Sequence, residues 1–488
     1  MRRKCTDSLL HWKKSPARKP LILQGLRQTG KTWLLMDFAS KQYDNTLYIN
    51  LETDQPAASY LSTPHDPQEA LLFLETYADK PLRPSSSLLI LDNIQCTLKI
   101  STLLSAIAAD FPQYHIAAVT RSVGNSDLYS HHDFDILTLY PLDFEEFLWA
   151  NAEFALAREI RAHFTSFTPM GKDLHQKALS QFRLYQIIGG MPAAIMEYKK
   201  EKKLLMVPDT QQKLLDLFLN DISTLAPKET ARYCRNSWLS IPSQLEKTSR
   251  KFQYTRIAKG ATAKTYQEPL QWLIQNGLVL PCHNNQDGKN AARQQINLHL
   301  YPIDTGLCTR MLKIPAYQLL TGEESIANTA CTETFLAQQF IQNSYTLSYW
   351  SSGNQAEVPF LLSKNNHFIA VDYRITPHQK CRNLMRLYNS RHQTLHVLWS
   401  SLNKCIFSPQ KTSKAKNTTR LYRCMRLFVS NFRILKITGL TCPQLKQIHF
   451  IIRHHWTDFF RNLSRLSAME NRRKPGFFII LFRSFFFR

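Results

Sequence analysis

The segment Pro20-Leu21-Ile22-Leu23-Gln24-Gly25-Leu26-Arg27-Gln28-Thr29-Gly30-Lys31-Thr32 constrains the fold of this chain more than any other. Its first five residues read as a short buried strand. Gly25 to Thr32 fit G-x-x-x-x-G-K-[ST], and Leu34, Leu35 and Phe38 then recur on one helical face. Strand, loop and helix stand in the order a phosphate cradle requires. Gly25 and Gly30 let the backbone turn tightly, so that successive N–H groups across Gln28 and Thr29 point inward at an anion. The helix N-terminus adds its partial positive charge. Lys31 is expected to reach the β and γ phosphates, and the Thr32 hydroxyl to ligate Mg²⁺.

Such a site needs an acid on a neighbouring strand to hold the water shell of Mg²⁺. Ser87–Leu91 is an apolar run that ends on Asp92, about sixty residues after Lys31. Thr46–Leu51 reads as an intervening strand. His115–Thr120 and Asp135–Leu139 supply two more. Strands alternating with helical stretches predict a parallel sheet with helices on both faces. Asn93 follows Asp92, where a hydrolase wants a carboxylate to deprotonate the attacking water. An amide can position a water but takes no proton. The pattern predicts binding with little or no turnover. The alternative is hydrolysis through another carboxylate, Glu52 or Asp54.

Composition narrows the class further. The ten cysteines are scattered singly, which reads as reduced thiols in a cytoplasmic protein and leaves no paired spacing for zinc. The basic start MRRKC lacks the apolar stretch of a signal peptide, and no run is long enough to span a membrane. Charge is uneven. Lys404 to Arg488 hold 18 basic and 2 acidic residues, a net of +16 out of +24 for the whole chain.

Taken in order, GLRQTGKT, YINLE, LILDNIQ, YPLDFEEFL (Tyr140–Leu148), GGMPAAI (Gly189–Ile195), LYPIDTGL (Leu300–Leu307), TETFLAQQF and YWSSGNQAEVPFLL (Tyr349–Leu362) resemble the prokaryotic AAA-type ATPases that carry a C-terminal domain of unknown function with a restriction-endonuclease-like fold. The resemblance spans roughly residues 5–400. It implies an AAA core, a helical lid, a winged helix and a degenerate nuclease-like α/β domain, with ATP and Mg²⁺ as ligands. It leaves the cellular role unassigned and points toward DNA or a protein partner. Gly25, Gly30, Lys31, Thr32 and Asp92 inherit binding roles, and Thr120 and Ser122 stand at the polar sensor position. Asn93 replaces the family's glutamate. Asp133 lies near the place of an arginine that precedes the PLxFEEF motif and acts on a neighbour's γ-phosphate. AAA modules usually act as rings, and the loss of that arginine argues against ring-coupled hydrolysis.

In the C-terminal half, Gly189-Gly190-Met191-Pro192 breaks two helical runs, as a lid junction or a plain turn. Leu214, Leu215, Leu217, Phe218 and Ile222 share one helical face with Asp221 beside them, and the segment reads as core. Tyr266, Leu270, Leu273 and Ile274 have helical spacing, Gly277 follows as a C-cap and Leu278–Leu280 as a strand, which fits a winged helix used either on DNA or for packing alone. Pro269 reads there as a kink or a late helix start. The resemblance places nuclease acids and a lysine at positions occupied here by Pro359, Ala370 and Asp372. Only Glu333, Glu357 and Asp372 are left as acids, so metal-dependent cleavage is not expected.

The expected domains are 1–160 (AAA-type ATP binding), 161–225 (lid), 226–312 (winged-helix-like), 313–403 (degenerate nuclease-like) and 404–488 (basic aromatic tail). The tail reads either as a surface for nucleic acid or anionic lipid, or as a stretch not shaped by selection for folding; the second reading fits the end of the resemblance better.

Overall fold

The computed structural model describes residues 1–97, 100–121, 129–166, 168–285, 297–323, 325–352, 356–364, 367–374 and 395–401, with Asn383, Arg386, Leu387, Tyr422 and Arg423. The N-terminal elements are α1 (Cys5–Lys14), β1 (Leu21–Gln24), α2 (Lys31–Gln42), β2 (Asn45–Asn50), α3 (Gln55–Leu61), α4 (Pro67–Ala78), β3 (Ser87–Asp92), α5 (Ile100–Asp110), β4 (His115–Thr120) and β5 (Asp135–Thr138). The strands form one parallel sheet in the order β2-β3-β4-β1-β5. Successive side chains of a strand face opposite ways, and the sequence uses both faces. Leu21, Leu23, Leu88, Ile90 and Val119 pack under α1 and α2. Ile22, Leu89, Leu91, Ile116 and Ala118 pack under α3, α4 and α5. Continuous apolar runs such as Ser87–Leu91 are therefore buried twice over, as a central parallel strand requires.

The second half comprises α6 (Phe144–Ala150), α7 (Phe154–Ser166), α8 (Lys172–Ile188), α9 (Pro192–Glu201), α10 (Val207–Leu225), α11 (Ala231–Leu245), α12 (Ala263–Gln275), β6 (Val279–Asn284), β7 (Leu298–Pro302), α13 (Thr305–Met311), α14 (Ala316–Thr321), α15 (Ile326–Gln342), β8 (Thr346–Ser351), β9 (Glu357–Lys364), β10 (His367–Arg374), β11 (Leu395–Ser401) and β12 (Tyr422–Arg423). A mixed sheet runs in the order β12-β11-β10-β9-β8-β6-β7. The α12 helix starts well before Pro269, so the expected late start is corrected: the proline sits buried inside the helix. The carbonyl that would have bonded its missing N–H belongs to Thr265, an exposed residue on the first turn of the helix. Pro359 lies on a central strand, where a missing donor is costly. The register between β8 and β9 shifts between Ser348 and Trp350, opposite that proline, and pairing with β10 stops at Phe360. Apart from β12, the tail from Lys404 lies outside the described residues.

The helices after β5 do not build a core of their own. One apolar cluster runs from Leu142 through the helices to Val371 on β10, and it takes in Leu26 of the loop after β1. Three distant segments meet on Asp304, which is fully buried. Its Oδ2 accepts from the Gly190 amide at 2.6 Å, and its Oδ1 accepts from Leu307 at 3.0 Å to cap α13. Burial pushes this carboxyl up to about 6, and backbone donors from Gly190, Leu307 and Gly306 act against that rise. Tyr185 donates to the Leu142 carbonyl at 2.7 Å, and the Leu142 amide donates to the Gly190 carbonyl at 2.7 Å. The backbones approach so closely that a Cβ on Gly190 would collide with the Leu142 carbonyl, and one on Gly189 with the Asp304 carboxylate. The motifs YPL, GGMP and YPIDTGL are thus one packed joint.

Gly190→Ala should lower the denaturation midpoint sharply, by a cost on the order of 3 kcal/mol. Gly171→Ala, where an added methyl meets nothing within 4 Å, serves as control. Equal midpoints for the two variants in a urea titration would contradict the joint.

Candidate phosphate-binding site

Gln24 ends β1 in register with Thr120 on one side and Thr138 on the other. Its side-chain amide donates to the Thr138 hydroxyl at 2.8 Å. The chain then turns through Gly25 (φ +151°), Gln28 (φ +68°) and Gly30 (φ +91°) into the first turn of α2. A Cβ on Gly25 would strike the Leu139 carbonyl, so glycine is required by contact as well as by conformation. Thr29 is fully buried. Its hydroxyl donates to the Leu26 carbonyl at 2.9 Å, so only its backbone is left to face a ligand.

Lys31 is buried and donates to the carbonyls of Gly25 and Leu26 at 2.8 and 2.9 Å. Two of its three donors staple the loop, and the third is free for an anion. Burial first, then the positive charges of Arg121 and Arg27, lower its pKa to about 8 against the opposing pull of Asp92. The Thr32 hydroxyl donates to Asp92 Oδ2 at 2.6 Å, and the Tyr48 phenol reaches the same oxygen at 3.0 Å. Hydroxyl and carboxylate thus meet where a hard divalent cation finds oxygen ligands.

Asn93 adopts the left-handed conformation (φ +58°, ψ +44°), which asparagine tolerates better than most residues. Its backbone amide donates to Asp92 Oδ1 at 2.8 Å, and its side-chain amide to Asn50 Oδ1 at 2.9 Å. The two alternative carboxylates are engaged. Asp54 accepts from the Asn50 amide at 2.9 Å, and Glu52 forms an ion pair with Arg121. Thr120 is fully buried and its hydroxyl bonds the Tyr129 phenol. Ser122 lies outside the described residues. Asp133 pairs with His132 just before the start of β5, at the edge of the sheet opposite the loop, away from this phosphate site.

Contacts that sequence reading missed hold the loop from three sides. Arg3 donates to the Thr29 carbonyl at 3.1 Å and to the Tyr140 carbonyl at 2.5 Å. Its Nε also lies 3.2 Å from Glu146, without the alignment of a hydrogen bond. Lys4 pairs with Asp143 and Glu145 at 2.5 and 2.8 Å, and Arg161 of α7 pairs with Glu145 at 2.6 Å, so the acidic FEEF segment is neutralised from the N-terminal segment and from α7 together. Arg27 pairs with Asp221 of α10 at 2.7 Å. Asp221 was expected only as a neighbour of the apolar face of α10; its carboxylate reaches the phosphate loop. Pro192, at the start of α9, comes within 3.9 Å of where a Gly30 Cβ would stand. The signals were present as unpaired charges, but nothing local to the sequence pairs residues so far apart.

The second cluster of acids is spent on structure. Buried Glu333 takes a 2.6 Å ion pair from buried Arg250. Burial pushes Glu357 up to about 7 and lowers His299 to about 3, so their 3.9 Å approach is between groups that shed charge. Ala370 is fully buried, and the side chain of Asp372, on β10, lies outside the described residues. No group of three metal-ligating side chains occurs among the described residues. Among those residues, too, no helix is long and apolar enough to cross a membrane.

Residues 17–148 match the family described as an AAA domain, and residues 179–318 match a domain of unknown function (DUF8612). No curated protein matches the chain. Among solved structures, a Walker-type ATPase of Pyrococcus abyssi is 12% identical with a TM-score of 0.39, covering 64% of this chain and 95% of its own. The ORC1 protein of Aeropyrum pernix in complex with DNA is 13% identical at 0.28, covering 67% and 92%. The RuvB Holliday junction branch migration motor of Thermotoga maritima is 16% identical at 0.27, covering 57% and 89%. These likenesses are remote. Residues 17–148 thus combine a five-stranded parallel sheet and a phosphate-loop motif with a match to the AAA domain family.

An ammonium with a pKa near 8 must be protonated to hold phosphate, and a bound anion raises that pKa. Affinity for ATP should therefore be full below the free pKa and fall as pH rises through it, by up to about tenfold per unit. Titrations at pH 7.5, 8.5 and 9.5 test this. An unchanged Kd across that range would remove Lys31 from the contact.

Proposed function

We propose that this chain binds ATP with Mg²⁺ and hydrolyses it weakly or not at all. Gly25, Gln28, Thr29 and Gly30 would present backbone donors to the phosphates, Lys31 the charge, and Thr32 and Asp92 the metal ligands. The fit rests on a cradle that tolerates no Cβ at Gly25, a buried ammonium with one donor to spare, and a hydroxyl–carboxylate pair at 2.6 Å. Mg²⁺ would screen the phosphate charge. The observation that carries the turnover half is Asn93, whose amide is tied to Asn50, while the two alternative carboxylates, Asp54 and Glu52, are both engaged.

The domain limits set out above are part of this proposal, with one qualification. The lid, winged-helix-like and nuclease-like segments share a core, so they are segments of one body. The order α11, a 3₁₀ turn (Tyr254–Arg256), α12 and the hairpin β6–β7 supports a winged helix. That element would be the contact for a DNA or protein partner. A second reading, an active ATPase, is favoured by one observation: Glu52 stands at the same end of the sheet as Asp92 and would be a base if Arg121 let it go.

Steady-state phosphate release from the full chain, with Lys31→Ala as background, decides between the two. Wild type should stay within about twofold of that background while ATP still binds. Asn93→Glu should raise release by tenfold or more, after a backbone cost of about 1 kcal/mol for leaving asparagine in a left-handed position. Wild-type turnover well above Lys31→Ala would overturn the non-hydrolysing reading.

A further inference from the structure

The stretch from Lys247 to Lys264 joins α11 to α12 and holds six basic residues and no acidic one. Arg250 is buried against Glu333 and belongs to the core. Lys251, Arg256, Lys259 and Lys264 are exposed. None of these four forms an ion pair among the described residues, and neither do the flanking acids Glu246 and Glu268. Around the phosphate loop, by contrast, Arg3, Lys4, Arg27 and Arg121 are all paired with acids.

The turn is held in one shape. Gln244 of α11 donates to the Gln253 carbonyl at 2.9 Å and accepts from the Gln253 amide at 3.1 Å. The Phe252 amide donates to the Leu298 carbonyl of β7 at 2.9 Å, and the Phe252 ring is buried. Arg256 donates through Nε to Gln253 at 3.2 Å and through Nη1 to the Ser243 carbonyl at 3.1 Å, so two of its three nitrogens fix the guanidinium. Lys247 donates to Gln244 Oε1 at 3.0 Å and to the Lys251 carbonyl at 2.9 Å. Burial, then the charges of Arg256 and Arg250, lower its pKa to about 8. These cations crowd one another, and an anion laid across them would relieve the repulsion. Because they are already fixed, little freedom is lost on binding.

The α12 helix follows directly. Tyr266, Pro269, Leu270 and Leu273 are buried, while Lys264, Gln267, Glu268 and Gln271 lie outward at helical spacing. Thr262 provides no side-chain cap, so the first-turn amides stay open to an anion. No large apolar side chain is exposed from Glu246 to Gln275, and a membrane surface contact would need such an anchor. Spaced phosphates beside a groove wide enough for a helix fit the surface better. Glu268 suits base edges rather than backbone, since it repels phosphate but accepts from a cytosine amine.

We propose that the turn between α11 and α12 grips the phosphate backbone of duplex DNA through Lys251, Arg256, Lys259 and Lys264, and that the outer face of α12 enters the major groove. This rests on the winged-helix reading above and deepens it by naming the partner and the contacts.

Fluorescence anisotropy of the full chain with a short labelled DNA duplex, over a range of salt concentrations, tests this. Replacing Lys251, Arg256, Lys259 and Lys264 together by alanine should weaken binding by about a hundredfold or more and lower the salt slope by about three to four. Gln267→Glu with Gln271→Glu, which puts two carboxylates on the outer face of α12, should weaken it as well. Duplex RNA of the same length should bind several-fold less tightly, because its major groove admits no helix. Equal affinity for the two duplexes would overturn the proposal, as would no binding of DNA by wild type. So would loss of binding to phosphatidylserine–phosphatidylcholine vesicles in the fourfold variant with DNA binding intact. Should the fourfold variant fail to fold by circular dichroism, Lys259→Ala and Lys264→Ala still decide, since each alone should lower the slope by about one. If the fourfold variant binds DNA like wild type while the α12 variant is weakened, the winged-helix contact stands and this inference alone falls. If neither variant changes DNA binding, both fall.

Discussion

Asp304 has no contact with water, yet its carboxylate is held by backbone amides from Gly190 and Leu307. A buried carboxyl is costly unless its oxygens are satisfied, so the three segments that supply and surround those donors must stay together. Gly189, Gly190 and Gly306 are glycines because nothing larger fits in that joint. From it the rest follows. The Gly190 carbonyl fixes Leu142, and Leu142 sits two residues after Tyr140, whose carbonyl is bound by Arg3. Arg3 also grips Thr29. The conformation of the phosphate loop is thus tied through a short series of hydrogen bonds to a carboxylate far along the chain.

Charge balance around the loop follows the same logic of mutual restraint. Lys31, Arg27 and Arg121 would repel one another in an empty cradle. Asp92, Asp221 and Glu52 offset them from a strand, a helix and a loop respectively. Only the first of these carboxylates belongs to the sequence motifs of the cradle. The other two come from α10 and from the loop after β2, both outside the cradle. The electrostatics therefore link occupancy of the cradle to the helices and loops around it.

The cradle was legible in the sequence because its chemistry is local. Gly25 to Thr32 need only a strand before and a helix after, and both are visible as short apolar patterns. Asp92 was legible because an apolar run ending in an acid reads the same in isolation as in the sheet. All five strands of the first sheet were expected within a residue or so. What could not be read was pairing at a distance. Asp221 looks like a polar residue beside an apolar stripe, and its bond to Arg27 depends on how α10 docks. Arg3 and Lys4 look like a basic start. Pro269 looked like a kink or a late helix start, because sequence alone does not show that a helix can run on through a buried proline.

The shared core carries a mechanical consequence. Leu26 sits in the same apolar cluster as Phe360 and Val371, and the glycine pair at the start of α9 is clamped on both sides. A diglycine suggests a hinge, but this one is a weld. Helices, distal sheet and Leu26 of the loop share one packed core, so the loop and the C-terminal half are joined by direct side-chain contact.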